Sequence, residues 1–174
     1  MLAVLAGCDQ VYGLDRDGEP CPADYLPIAG AGAYKIVVED TRWLLADAKC
    51  KRDTATAITH LVVFEDVVEL GLVREAVDAQ EPWEVAVGYA RDATGDRTRF
   101  TAVTGAALEP DSPLWDVGEP NGTFTDPDTN KVYEESIGLT SNFLQLFDAP
   151  PMYPLEGFVC ECDGEPATET FEVE

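Results

Sequence analysis

The sequence predicts a single α+β domain, and three observations lead to that fold class. The chain has 174 residues, 45% of them hydrophobic, which is enough for one good core and gives no sign of a second. Two segments with helical periodicity lie in the first half of the chain, with short strand-like segments around them. A stretch rich in Pro, Gly, Asp, Asn and Thr, from about residue 107 to 131, then interrupts regular structure. Irregular stretches of that length in compact domains usually carry function.

The chain starts with a short apolar run that ends in Leu5-Ala-Gly-Cys8, which is similar to the lipobox of bacterial lipoproteins. In a lipobox the cysteine is lipidated and becomes the first residue of the mature chain. Because a basic segment before the apolar run is missing, we expect a true start further upstream. Residues 1–20 are interpreted as a signal remnant and polar tether of a protein anchored to a bacterial envelope or surface, or otherwise secreted. The alternative is a chance apolar start with an inert Cys8.

The first regular elements are a strand at residues 34–38 and a helix that runs to about residue 51. Asp40 or Thr41 is the predicted N-cap of this helix. Trp43, Ala46 and Cys50 recur at helical spacing, so they share the face that packs into the core.

A strand at residues 61–64 leads into a second helix, from residue 66 to about residue 77. Asp66 and Glu69 form an acidic variant of the capping box at its start. The predicted buried stripe consists of the apolar residues at helical spacing: Val67, Leu70, Val73 and Val77.

Further strands are predicted at residues 83–89, 98–103, 142–147 and 157–162. Trp83 and Trp115 are predicted core residues, since tryptophan is usually well buried. Residues 163–174 form an acidic tail that we expect to be frayed. The folded domain is therefore placed at residues 21–162.

Cysteine content predicts two disulfides once Cys8 is assigned to lipid, because an even number then remains in an exported chain. The four are Cys21, Cys50, Cys160 and Cys162. Cys160 and Cys162 alternate with Glu161 on a predicted strand, so they share one face and do not bond to each other. Each therefore needs a distant partner.

The net charge and the histidine content of the chain argue against several classes of function. With 34 acidic and 11 basic residues the net charge is −23, which repels phosphate backbones, so nucleic acid is not a predicted partner. His60 is the only histidine and is interpreted as a strand-end or turn residue; a zinc site built from it and the cysteines lacks paired cysteine spacing. Glu134 and Glu135 are adjacent on a strand and face opposite sides, unlike a glycosidase pair. No catalytic constellation remains, and we predict that the protein is not an enzyme.

Four features carry a family resemblance: Trp43-x-x-Ala46-x-x-x-Cys50, the strand at residues 83–89, Trp115-x-x-Gly118-Glu-Pro-Asn121, and Phe158-Val-Cys-Glu161. Their order and spacing resemble the C-type lectin-like domain across residues 21–162. The resemblance implies an α+β fold in which two helices flank small antiparallel sheets beside a long irregular loop region. It also implies a disulfide between Cys50 and Cys160, which leaves Cys21 to bond with Cys162.

The resemblance further implies a calcium site. In sugar-binding members a Glu-Pro-Asn triplet with a cis proline supplies two ligands, and here Glu119 and Asn121 match it, with Glu134 as the later glutamate. The family's Trp-Asn-Asp triplet falls at residues 146–148, where Asp148 is kept and Phe147 replaces the asparagine. Calcium accepts up to eight oxygens, so a protein cage can leave positions for two sugar hydroxyls. The expected ligand-binding residues are thus Glu119, Asn121, Glu134 and Asp148, with a preference for mannose-type or glucose-type glycans.

Two hypotheses on function follow. The first is a surface-anchored lectin that captures a glycan through Ca²⁺, and the second is a calcium-independent lectin-like module that binds protein or cell-wall material. Aromatic residues that could stack on a sugar are Phe124, Tyr133 and Tyr153. The sequence Asp126-x-Asp128-x-Asn130 lacks the glycine and glutamate of an EF-hand loop, although its oxygens could hold an accessory cation.

Overall fold

The computed structural model describes residues 21–55, 58–91, 99–122, 135–140, 145–150 and 153–171. The helices in these ranges are α1 (Trp43–Cys50) and α2 (Val67–Asp78). The strands are β1 (Leu26–Pro27), β2 (Ala33–Thr41), β3 (Thr59–Leu61), β4 (Glu84–Arg91), β5 (Phe100–Ala102), β6 (Ala107–Leu108), β7 (Ser136–Thr140), β8 (Leu146–Ala149) and β9 (Leu155–Cys162). Neither helix has the length and apolar content needed to span a membrane.

The strands join in one sheet with the order β1-β2-β9-β4-β5-β6. Strand β3 pairs with β9, while β7 joins β4 to β8. Among these strands every pairing is antiparallel except β4 with β9, which is parallel at Val85 and Gly157. The predicted α+β class is therefore confirmed, with a mixed sheet at its centre.

The two helices cover opposite faces of this sheet. Val85 and Val87 of β4 belong to the hydrophobic cluster that contains the buried residues of α2, whereas Ala86 and Ala90 belong to the cluster with α1. Because successive side chains of a strand point to opposite faces, β4 is buried between both layers. Its near-continuous apolar sequence follows from that double burial.

Helix α1 lies where the sequence predicts it, but its N-cap is a different residue from those predicted. The cap is Arg42, whose side chain makes no capping hydrogen bond. Asp40 and Thr41 are instead the last residues of β2, which continues further than the sequence pattern indicates. The predicted N-cap is therefore wrong, because sheet pairing takes both residues before the helix begins.

Helix α2 has the predicted start. Asp66 Oδ1 accepts hydrogen bonds from the backbone N–H groups of Val68 at 2.8 Å and Glu69 at 2.9 Å. The Glu69 carboxylate reaches back and accepts from the N–H of Glu65 at 2.7 Å. The capping prediction is confirmed, with the reciprocal bond going to the residue before the cap.

Two disulfides fix the ends of the domain. Cys21 bonds to Cys162 and Cys50 bonds to Cys160, with Cα–Cα distances of 5.9 and 5.4 Å. This is the pairing that the family resemblance implies. One bridge ties α1 to β9, and the other ties the first described residue to the end of β9.

Three predicted core positions have different outcomes. Trp115 is 5% exposed, as predicted. The core prediction is wrong for Trp83, which is 54% exposed and precedes the paired part of β4. Val67 is 44% exposed because it lies in the first turn of α2, ahead of the residues that pack, whereas the rest of the predicted stripe is buried.

Strand boundaries were the least predictable part of the fold. The sequence pattern misses β7, all five residues of which are buried, so the alternation that marks a half-buried strand is absent. The strand expected at residues 61–64 is β3, ending at Leu61. Of the strand expected at residues 142–147, residues 142–144 lie outside the described ranges, and β8 begins at Leu146.

The described part of the acidic tail is not frayed. The N–H groups of Thr168 and Glu169 both donate to Val103 O, at 2.9 and 3.1 Å. The ring of Phe171 meets Trp43 edge to face, with 5.5 Å between centroids. The expectation of fraying is wrong for residues 163–171 because this aromatic contact holds the segment against α1. The acidic composition of the segment gives no sign of the contact.

Candidate calcium and glycan site

The first carboxylate of the candidate site, Asp148, is held by the sheet. It lies on β8 opposite Ile137 of β7 and is 5% exposed. A carboxylate buried to this degree must be satisfied by hydrogen bonds or by a cation.

The loop that carries Glu119 starts at the edge of the same strand. Leu146 donates its N–H to Leu114 O at 2.9 Å and accepts at its carbonyl from the Asp116 N–H at 3.0 Å. Trp115, between Leu114 and Asp116, is buried, and its ring meets the Phe100 ring edge to face with 5.3 Å between the centroids. The indole thus anchors the loop beside β8, and the chain leaves from there towards Asp148.

The loop then turns sharply. The Glu119–Pro120 peptide bond is cis, as the resemblance implies. Gly118 has φ 96° and Gly122 has φ 56°, values in the left-handed region that favours glycine. The two glycines therefore bracket the segment that presents Glu119 and Asn121.

The side chains of this segment converge with Asp148 on one backbone N–H. The Asn121 N–H lies 3.0 Å from Glu119 Oε2 and 3.2 Å from Asp148 Oδ1, and both oxygens accept from it. The second Asp148 oxygen accepts from the Gly122 N–H at 2.9 Å. The Asn121 side-chain amide donates to both oxygens of Glu119, at 3.0 and 2.9 Å. Three of the four predicted ligands are thus brought together.

The Glu119 and Asp148 carboxylates lie close together, so their negative charges repel each other. Partial burial, and next the neighbouring Asp148 carboxylate, raise the pKa of Glu119 to about 7. Near neutral pH a proton therefore occupies Glu119 in a large fraction of molecules. A divalent cation between the two carboxylates would remove the need for that proton.

The donor set fits Ca²⁺, which takes six to eight oxygens at about 2.3–2.6 Å and favours carboxylates and amide carbonyls. Glu119 and Asp148 offer four carboxylate oxygens, and a half-turn of the Asn121 amide would direct its oxygen where its nitrogen now points. Phe147 contributes nothing: its side chain lies over Gly138, where an added Cβ would stand 2.5 Å from the ring. Glu134 lies outside the described residues.

The remaining predicted contacts are displaced from this cluster or undescribed. The Tyr153 hydroxyl bonds to Glu84, and this bond, followed by burial, raises the pKa of Tyr153. Glu84 pairs with Thr140, towards the other end of β7 from Ile137, the partner of Asp148, so the Tyr153 hydroxyl is bonded near the opposite end of that strand. The other residues named above lie outside the described ranges: Cys8, Phe124, Asp126, Asp128, Asn130 and Tyr133.

Comparison with solved structures identifies the fold. The C-type lectin CEL-I from Cucumaria echinata matches with a TM-score of 0.63 at 16% identity, covering 80% of this chain and 95% of its own. The human scavenger receptor C-type lectin carbohydrate-recognition domain matches with a TM-score of 0.63 at 18% identity, covering 81% and 97%. The carbohydrate-recognition domain of cow CD23, solved in the presence of a GlcNAc2Man3 oligosaccharide, matches at 0.58 and 19%, covering 80% and 93%. The chain therefore has the C-type lectin fold.

Sequence comparison adds no relative to these structures: no protein-family model matches the chain, and no curated protein matches it.

Proposed function

We propose that this protein is a lectin-like module that binds a glycan through Ca²⁺ held by Glu119, Asn121 and Asp148, with Glu134 as a further ligand. It is a binding protein rather than an enzyme. The observation that carries the proposal is the meeting of Glu119 and Asp148 at the Asn121 amide beside a cis Glu119–Pro120 bond. The carbohydrate-recognition domains that share the fold support the glycan as ligand.

Each residue has a separate task in this mechanism. Asp148, fixed on β8, holds the loop through the N–H groups of Asn121 and Gly122 and keeps its carboxylate oriented. Glu119 is half-buried and Asn121 is exposed, so after a half-turn of the Asn121 amide both residues would offer oxygens where a sugar has access. A bound Ca²⁺ would supply open coordination positions for two neighbouring hydroxyls of the sugar. A mannose-type or glucose-type diol is the proposed ligand because the triplet is Glu-Pro-Asn.

A second candidate function rests on Phe147. The family's asparagine is replaced there by a ring that packs over Gly138 and offers no oxygen. With one ligand fewer, Ca²⁺ affinity falls. The second candidate is therefore a calcium-independent module whose loop binds protein or cell-wall material.

Calcium titration followed by sugar binding separates these functions. We expect the purified chain to take up Ca²⁺ in isothermal titration, to melt at a higher temperature in Ca²⁺ than in EDTA, and to bind a mannose-coated resin only with Ca²⁺. Glu119→Gln keeps the shape of the side chain and removes its charge, so it should weaken Ca²⁺ binding by about tenfold or more. Free mannose should elute the chain and free galactose should not.

Asp111→Asn is the matched control, because Asp111 is exposed and lies in the loop region but outside the cluster. It should bind Ca²⁺ and resin as the unsubstituted chain does. If millimolar Ca²⁺ causes no heat and no change in melting temperature, the calcium-dependent proposal fails and the second candidate remains. Calcium uptake without any binding to the resin would leave the metal site and reject the mannose-type ligand.

We further propose that lipid on Cys8 anchors the protein to a bacterial envelope, with residues up to 20 as the tether. The apolar run that ends in Leu5-Ala-Gly-Cys8 supports this. Expressed in a bacterium behind a complete signal sequence, the chain should partition into a detergent phase and carry a mass increase on Cys8. Cys8→Ser should remain in the aqueous phase. Equal partition of the two proteins would contradict the anchor.

A further inference from the structure

A second group of metal-binding side chains lies on β3 and β9, away from the β7–β8 pair that holds Asp148. His60 of β3 pairs in register with Glu161 of β9, so their side chains are direct cross-strand neighbours. Asp163 follows β9 immediately. One ligand atom from each of these three residues lies within 4.8 Å of the other two. His60, which the sequence pattern indicates as a strand-end or turn residue, is instead the middle residue of β3, and the partners of this residue on and after β9 are about a hundred positions away in sequence.

The orientation of His60 is typical of a metal ligand. The side chain is fully buried, and Nδ1 lies 2.8 Å from Leu61 O, which can only accept, so Nδ1 carries a proton. In neutral imidazole the lone pair is then on Nε2, which faces Asp163 Oδ1 at 3.1 Å. Metal-binding histidines commonly donate their other N–H to a backbone carbonyl in this way.

Glu161 supplies a buried carboxylate with one oxygen to spare. Its residue exposure is 5%, and Oε2 accepts from the Val63 N–H at 3.0 Å. Among the described residues no donor reaches Oε1, which lies on the side of Gly32. Glu161 and Asp163, together with Gly32, line a cavity of about 270 Å³, through which solvent reaches these two carboxylates.

We propose that His60, Glu161 and Asp163 bind a transition-metal ion, with Zn²⁺ as the best match. Imidazole nitrogen with carboxylate oxygen suits zinc, whereas Ca²⁺ prefers oxygen ligands alone. Tetrahedral zinc with bonds of about 2.0–2.1 Å places ligand atoms roughly 3.3 Å apart, close to the observed 3.1 Å between Nε2 and Oδ1. Two carboxylates balance the charge of the ion. The neighbouring Cys160 and Cys162 are not ligands because both are in disulfides.

The competing explanation is an ion pair of protonated His60 with Asp163. Burial acts against a charge on His60, but the Asp163 and Glu161 carboxylates outweigh it and raise the pKa of the histidine. A proton and a metal ion thus compete for the same nitrogen. Zinc binding should release protons, and titration in two buffers of different ionisation enthalpy measures that release.

The test is a Zn²⁺ titration of the intact chain in saturating Ca²⁺, so that the loop site and nonspecific acidic sites are occupied. We expect one equivalent of Zn²⁺ to bind and raise the melting temperature, and Co²⁺ in its place to give the visible absorption of tetrahedral coordination. In Asp163→Asn a side-chain oxygen remains to accept the hydrogen bond from the Glu165 N–H. The variant should weaken Zn²⁺ binding by about tenfold or more. His60→Gln should abolish the nitrogen-dependent cobalt spectrum.

Asp78→Asn is the matched control, since Asp78 is the exposed last residue of α2. It removes the same charge and should leave Zn²⁺ binding unchanged. Because His60 is buried and its variant could fail to fold, the partly exposed Asp163 provides the decisive variant. Absence of Zn²⁺ binding to the unsubstituted chain, or equal binding to Asp163→Asn and Asp78→Asn, would overturn the proposal. Neither result depends on whether the Ca²⁺ site binds glycan.

Discussion

Hydrogen bonds to single side chains orient the carboxylates of the candidate calcium site. Asp148 accepts from two backbone N–H groups, and Glu119 accepts from the Asn121 amide, so each carboxylate is oriented by the protein. The two charges repel each other, and a proton on Glu119 relieves that repulsion. Because the protein holds these two carboxylates close together in spite of their repulsion, they favour the binding of a cation between them.

The raised pKa of Glu119 predicts how the loop site responds to pH. Calcium must displace the proton, so its affinity should rise as the pH increases through about 7 and then level off; below that value it should fall by up to about tenfold per pH unit. Isothermal titration at several pH values measures this. Glu119→Gln should lack the step, and equal affinities for the unsubstituted chain at about pH 5.5 and 8 would contradict the assignment.

The stability of the calcium-free protein should show the opposite trend. The folded pKa of Glu119, about 7, lies above its ordinary value of 4.5. Between those values the folded chain holds a proton that the unfolded chain has lost. The contribution of Glu119 to the free energy of unfolding therefore decreases as pH rises through this window.

At the scale of elements, helix caps and tertiary contacts decide where a helix begins and which segments are ordered. Asp66 determines where α2 begins because its oxygen serves two N–H groups that lack a partner within the helix. Helix α1 has no such cap and is fixed by the sheet and a disulfide instead. The segment after β9 is ordered by Phe171 against Trp43, a contact that composition does not show.

Asp66→Ala should lower the free energy of unfolding by about 1 kcal/mol, because both N–H groups of the first turn lose their acceptor. Denaturant unfolding in EDTA measures the change without any contribution from calcium. Asp78→Ala, at the other end of the same helix, should be neutral or slightly stabilising, since a negative charge at a helix C-terminus is unfavourable. Similar losses for both variants would contradict the capping role of Asp66, because the loss would then not depend on the N-terminal position.

At the scale of the whole molecule, one sheet serves two candidate metal sites on separate strand pairs. The β7–β8 pair and its loop hold the oxygen-only site, and the β3–β9 pair holds the site with histidine. The disulfides of Cys160 and Cys162 fix β9 at both positions beside Glu161. A net charge of −23 favours cations at both sites over anions.

The sequence by itself determined the fold class, both helices, the start of α2 and the motif around Glu119 and Asn121. These features depend on local patterns, namely periodicity, caps and short motifs, which residues a few positions apart can express. The disulfide pairing and the role of Asp148 were reached only through a family resemblance, since local chemistry does not distinguish Cys21 from Cys50 as partners.

Only the tertiary structure decided what depends on distant residues. It buried β7 on both faces, exposed Trp83, and docked Phe171 on α1. It also brought His60 within 3.1 Å of Asp163, 103 positions away in sequence. Such contacts arise from strand order and register, and these are set by the packing of the whole core rather than by any single segment.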